Sequence, residues 1–62
     1  MRKCEINGYV VSHWYAGIDN YSVRRVGDEG GEPLAVCWDY DTIARIVGVD
    51  VETLKAEMWR QR

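Results

Sequence analysis

The dipeptide Asn7-Gly8 narrows the folding choices of this chain more than any other pair of residues in it. Asn and Gly both tolerate positive φ, and a type I′ turn needs positive φ at both central positions. Such a turn joins two antiparallel strands through a two-residue loop whose twist matches their own. The flanking sequence complies, so residues 3–6 predict a first strand and residues 9–15 a second. The loop length sets Ile6 opposite Tyr9 and Cys4 opposite Val11, all on one face. His13 and Tyr15 continue that face, while Lys3, Glu5, Val10, Ser12 and Trp14 occupy the other. The first set is assigned to the core, because its paired positions are the more apolar.

Residues 16–20, Ala-Gly-Ile-Asp-Asn, read as a turn. Residues 21–26 follow as a third strand, with Tyr21 and Val23 alternating against Ser22 and Arg24. Residues 27–33 hold three glycines and three acids, which cannot pack into a core; they predict a mobile loop at a hairpin tip. Residues 34–38 predict a fourth strand whose even positions, Leu34, Val36 and Trp38, are the bulkier ones.

The pattern changes at Asp39. Asp39 or Asp41 can accept backbone N–H bonds as a helix cap. The helix over 42–47 would carry Ile43, Ile46 and Val47 on one face, and Gly48 would end it in the left-handed conformation. Asp50 then caps a second helix with an apolar stripe of Val51, Leu54 and Met58. Glu52 in its first turn and Arg60 and Arg62 at its end suit the helix dipole. The expected fold is α+β in a single domain over 1–62. A small antiparallel β-meander of three to four strands (1–38, with the acidic loop 27–33) is followed by a helical hairpin (39–62). Its two short C-terminal helices pack on one face.

Length bounds what this fold can do. A chain of 62 residues buries roughly 60% of the surface its unfolded form exposes. Its core supplies no more than about 3–5 kcal/mol of net stability. There is little room for a water-excluding cleft. The N-terminal residues lack the apolar h-region of a secretory signal, and no apolar stretch approaches the ~20 residues of a membrane span. The expected setting is cytoplasmic, with Cys4 and Cys37 as reduced thiols; a bridge between them stays open if one sheet holds both.

Charge is unevenly spread. Residues 1–27 hold four bases against two acids, whereas residues 28–62 hold four bases against eight, and the net charge is −2. A nucleic-acid binder normally shows a basic excess. This balance points to a protein partner with a basic surface, and direct nucleic-acid binding is not expected.

Residues 40–58 carry a resemblance. Ala44, Gly48-Val49 and Leu54 stand where a tight helix pair needs a small residue, a turn and a locking hydrophobe, and the segment resembles the helix-turn-helix of small DNA-binding proteins. That resemblance implies a second helix whose N-terminal residues reach base edges, with Thr53 and Lys55 as the contacts. The same end of the helix carries Asp50 and Glu52, with Glu57 beyond, and carboxylates facing phosphates are repelled.

No catalytic or metal residues are assigned. Cys4, His13, Cys37 and Asp39 are possible zinc donors but lack ligand-type spacing. Asp39-x-Asp41 is read as helix capping. A Cys4–His13 pair, diagonal on one face, is read as packing. Gly27-x-x-Gly30-Gly31 is flanked by acids that would repel a phosphate. No cofactor is expected.

What remains is surface. An outward Trp14 beside Arg24, with Val10 nearby, has the composition of a binding hot spot. The acidic loop, Asp28, Glu29 and Glu32, would suit a groove rich in Arg and Lys. The expected function is therefore a non-enzymatic protein-binding module. In size and charge alone it is similar to small phage-type inhibitors or adaptors, such as anti-CRISPR proteins, of nucleic-acid-handling complexes. The second expectation is a helix-turn-helix regulator. The third is a structural subunit of a self-assembling complex, and a homodimer is open in either case.

Overall fold

A computed structural model describes residues 2–28 and 30–60. Four strands, β1 (Arg2–Ile6), β2 (Tyr9–Tyr15), β3 (Asp19–Arg25) and β4 (Ala35–Cys37), form one antiparallel sheet in the order β1-β2-β3-β4. Two helices follow, α1 (Tyr40–Val47) and α2 (Val51–Arg60). This is the expected α+β meander with a C-terminal helix pair.

The first turn sets the register. Asn7 has φ 54° and Gly8 φ 83°, as a type I′ turn requires. Ile6 lies opposite Tyr9, Cys4 opposite Val11 and Arg2 opposite His13. β3 starts earlier than the sequence suggests, because Asn20 and Asp19 pair with Trp14 and Tyr15. The turn is thereby cut to residues 16–18. β4 is the shortest strand. Pro33 precedes it and the helix cap Asp39 follows closely, which leaves few residues free to pair.

Both helix ends are chemically explicit. Asp39, with extended φ and ψ, caps α1: the Thr42 amide donates to its Oδ2 at 3.0 Å. Of the two aspartates that could cap this helix, Asp39 does so. Gly48 ends α1 at φ 80°, ψ 30°, its N–H donating to the Ala44 carbonyl at 2.9 Å. Asn7 also reaches this end, its Nδ2 donating to the Val47 carbonyl at 2.8 Å. A residue of the β1–β2 turn therefore satisfies one of the carbonyls that a helix C-terminus leaves orphaned.

The helices cover the face that carries Cys4, Val11, Tyr21 and Val23. Against it α1 buries Ile43, Ala44 and Val47, and α2 buries Leu54 and Met58. Val11, Val23, Ile43 and Leu54 are fully buried, each worth about 1.5–3 kcal/mol relative to exposure.

The inner face is not apolar to its end. His13 is polar, though its side chain is only 15% exposed, and Tyr15 is exposed. Alternation does point both inward, but Tyr15 lies at the end of β2, beyond the buried cluster. The cysteines lie on the two edge strands. Three strand spacings separate those edges by about 14 Å, beyond the ~7 Å a disulfide can span. Cys4 and Cys37 are both free, so the bridge left open by the sequence is excluded in this fold.

Candidate interaction face

Strand alternation gives the outward face of the sheet Lys3 and Glu5 from β1, Val10, Ser12 and Trp14 from β2, Ser22 and Arg24 from β3, and Val36 from β4. No helix covers it, yet its centre is closed. Val10 is 5% exposed and Ser22 2%. Ser12 and Ser22 are both buried, and Arg24 reaches Ser22. Its Nη1 donates to Ser22 Oγ at 3.1 Å and its Nε to the Gly31 carbonyl at 3.0 Å. That second bond draws the acidic loop back to the sheet.

These contacts correct the expected hot spot. Val10 faces outward but is buried. Trp14 is on the expected face but half-buried. Arg24 pairs across the strands with Val10, not with Trp14. Four residue steps along β2 separate Val10 from Trp14, or about 13 Å. The cation–π contacts lie elsewhere, with Arg2 over Trp59 at 4.0 Å, Arg25 over Tyr9 at 5.5 Å and Lys55 over Tyr40 at 5.6 Å. Asp28 and Glu32 are exposed as expected; Glu29 lies outside the described residues.

The exposed apolar surface of this face belongs to residues the expected site did not include. Leu34, Val36 and Trp38, at i, i+2 and i+4 along β4 and its flanks, are 54%, 55% and 69% exposed. Their smaller neighbours, Ala35 and Cys37, face the helices and are half-buried. The signal was present in the sequence as the bulkier even set. Nothing local says that the bulkier set faces away from the helices. The two edges of the sheet differ sharply. On β1 the outward residues are the charged Lys3 and Glu5, whereas on β4 they are apolar. Acids bracket the apolar row, with Asp28 and Glu32 before it and Asp39 and Asp41 after it, all exposed.

A second cluster closes one end of the sheet on the helical side. His13 stacks on Tyr21 with ring centroids 4.7 Å apart, and its Nε2 lies 3.0 Å from Asp19 Oδ1. Trp59 meets His13 edge-on, and its Nε1 donates to the Tyr40 hydroxyl at 2.8 Å. Burial, then the hydrogen bond and charge of Tyr40, then Asp19 push the Tyr21 hydroxyl up to about 12. The cluster pins the end of α2 to the sheet. Beside it is a shallow, open depression of about 190 Å³ lined by Arg2, His13, Trp14, Tyr15 and Trp59.

Both thiols are held toward the protonated form. Burial and then Glu57 raise the Cys4 pKa, and burial and then Asp39 raise that of Cys37. A raised thiol pKa keeps the less reactive protonated form. His13 is engaged with Asp19 and Tyr21. Among the described residues no three His, Cys, Asp or Glu side chains gather as a metal site. Among the described residues no helix is long and apolar enough to cross a membrane.

On α2, Thr53 and Lys55 are exposed, but each has a local role. The hydrogen bond with Thr53 is the main cause that holds the Asp50 carboxyl below its usual range, and Lys55 lies over Tyr40. Compared with family models, curated proteins and solved structures, the chain matches none of them.

Proposed function

We propose that this chain is a non-enzymatic protein-binding module whose contact surface is the outward face of the sheet around β4. The observation that carries the reading is the exposed row Leu34, Val36 and Trp38 on an open sheet edge. Contiguous exposed apolar surface on a small protein marks an interaction site, and proteins otherwise guard open edges with charge. Here only β1 carries guard charges, Lys3 and Glu5, and the outward residues of β4 are apolar. The surrounding acids and the net charge of −2 favour a partner with a basic surface. Larger nucleic-acid-handling complexes offer such surfaces along their nucleic-acid channels, so the module acts as a small inhibitor or adaptor of one.

The test is a pull-down from cell lysate with and without nuclease, using the wild type and a Val36→Lys, Trp38→Ser double variant. A protein retained by the wild type after nuclease treatment and lost by the variant is expected. Capture that requires nucleic acid, is indifferent to the double variant and is lost on Lys55→Glu would replace this reading with a DNA-binding regulator acting through Thr53 and Lys55.

A further inference from the structure

We infer that β4 receives an extended segment of the partner as an added fifth strand, and that this segment carries Lys or Arg on both sides of an alternating apolar centre. The inference rests on the protein-binding reading above and names the partner's chemistry.

Backbone valence supplies the first argument. β4 has one neighbour, β3. Its other edge presents the unpaired N–H and C=O groups that template strand addition. Side chains supply the second. An added strand lays its own alternate residues beside Leu34, Val36 and Trp38, and such cross-strand pairs are what stabilise a sheet. A Trp of which 69% is exposed offers a large contact area at the end of this row. A partner segment of about five residues, some 17 Å long, suffices to cover it.

Charge decides between occupants. Asp28 and Glu32 precede the row in the chain and Asp39 and Asp41 follow it, all exposed. A second copy paired antiparallel about Val36 would bring each chain's Asp39 against the Glu32–Pro33 corner of the other, placing acid near acid at both ends. Parallel self-pairing stacks like on like. A segment with basic flanks meets acids at both ends instead. The opposite edge does not compete, because Lys3 and Glu5 guard β1 and α2 packs against that strand.

The experiment selects a displayed library of random dodecapeptides on the wild-type chain, with counter-selection on Val36→Lys. That substitution adds a guard charge at an exposed position and leaves the core untouched. Enriched peptides should alternate apolar and polar residues between Lys or Arg flanks. A synthetic copy should lose affinity about tenfold or more on Val36→Lys. It should lose a similar factor when alternate backbone amides of the peptide are N-methylated, which removes strand hydrogen bonds but keeps side chains and charge. Its binding should slow hydrogen exchange at Ala35, Val36 and Cys37, and raised salt should weaken it. The inference is overturned by no enrichment, by acidic or proline-rich consensus sequences, by N-methylated peptides that bind equally well, or by protection confined to α2. A free chain that sediments as a dimer and becomes monomeric on Val36→Lys would name a second copy as the occupant and overturn it as well. If lysate capture depends on Val36 and Trp38 while the library yields nothing strand-like, the inference fails and the protein-binding reading stands.

Discussion

Asn7 is asked to do two things at once, and substitutions can separate them. It adopts φ 54° in the β1–β2 turn and donates from Nδ2 to the Val47 carbonyl at the end of α1. Asn7→Gly keeps the turn, since Gly reaches positive φ freely, and removes only the hydrogen bond. A part-buried bond of this kind contributes about 0.5–1.5 kcal/mol. Asn7→Asp keeps the size and the tolerance for positive φ but puts a carboxylate against a carbonyl at the negative end of a helix. That repulsion adds about 0.3–1 kcal/mol to the lost bond. The total, about 1–2.5 kcal/mol, is a large share of the ~3–5 kcal/mol available to a domain this small. With a urea slope of about 1 kcal/mol per molar, the midpoint should fall by roughly 1–2.5 M. The effect should depend on pH. Repulsion raises the folded-state pKa of the introduced carboxyl above its unfolded value of about 3.9. Stability is therefore retained below that value and lost as pH rises through the folded pKa. Tryptophan fluorescence during urea titration at pH 3 and pH 7 measures both ends. If Asn7→Asp matches Asn7→Gly at both pH values, or neither differs from wild type, the link from turn to helix contributes nothing and the reasoning is refuted.

Gly48→Val should destabilise by more than about 1 kcal/mol, because a β-branched residue is strained at φ 80°; an unmoved denaturation midpoint would mean that α1 does not end there. Leu54→Ala should cost about 2–5 kcal/mol, enough to leave the chain largely unfolded by circular dichroism at room temperature. Trp38→Ala should leave the melting temperature unchanged and weaken partner binding by about 2 kcal/mol or more. Trp14→Ala, at a half-buried position, should lower the melting temperature measurably while the chain still folds. Asp50 has its pKa held down, first by Thr53, so its cap is intact above the ordinary carboxylate range and is lost as pH falls through the depressed value; Asp50→Ala should flatten that part of the acid-unfolding curve.

The sequence determined what neighbouring residues can settle among themselves. Asn7-Gly8 fixes a turn through φ preferences, and the turn fixes the pairing of Cys4 with Val11, since a two-residue loop leaves a single register. Asp39 and Gly48 bound α1 because capping is a matter of a few bonds within one turn of chain. The apolar positions of the first hairpin also assign its Cys4 and Val11 face to the core; only the tertiary structure decided which face β4 gives to the helices and where their cover stops. Alternation states that Leu34, Val36 and Trp38 share a side, but their exposure depends on where α1 and α2 dock, and the helices take the smaller set, Ala35 and Cys37. Val10 was legible as outward and not as buried, because Arg24 and the returning loop meet that face through the bonds to Ser22 and Gly31. The bond from Asn7 to Val47 spans forty residues of chain; no local preference encodes it, and it exists because packing the helices on the sheet brings the end of α1 to the first turn.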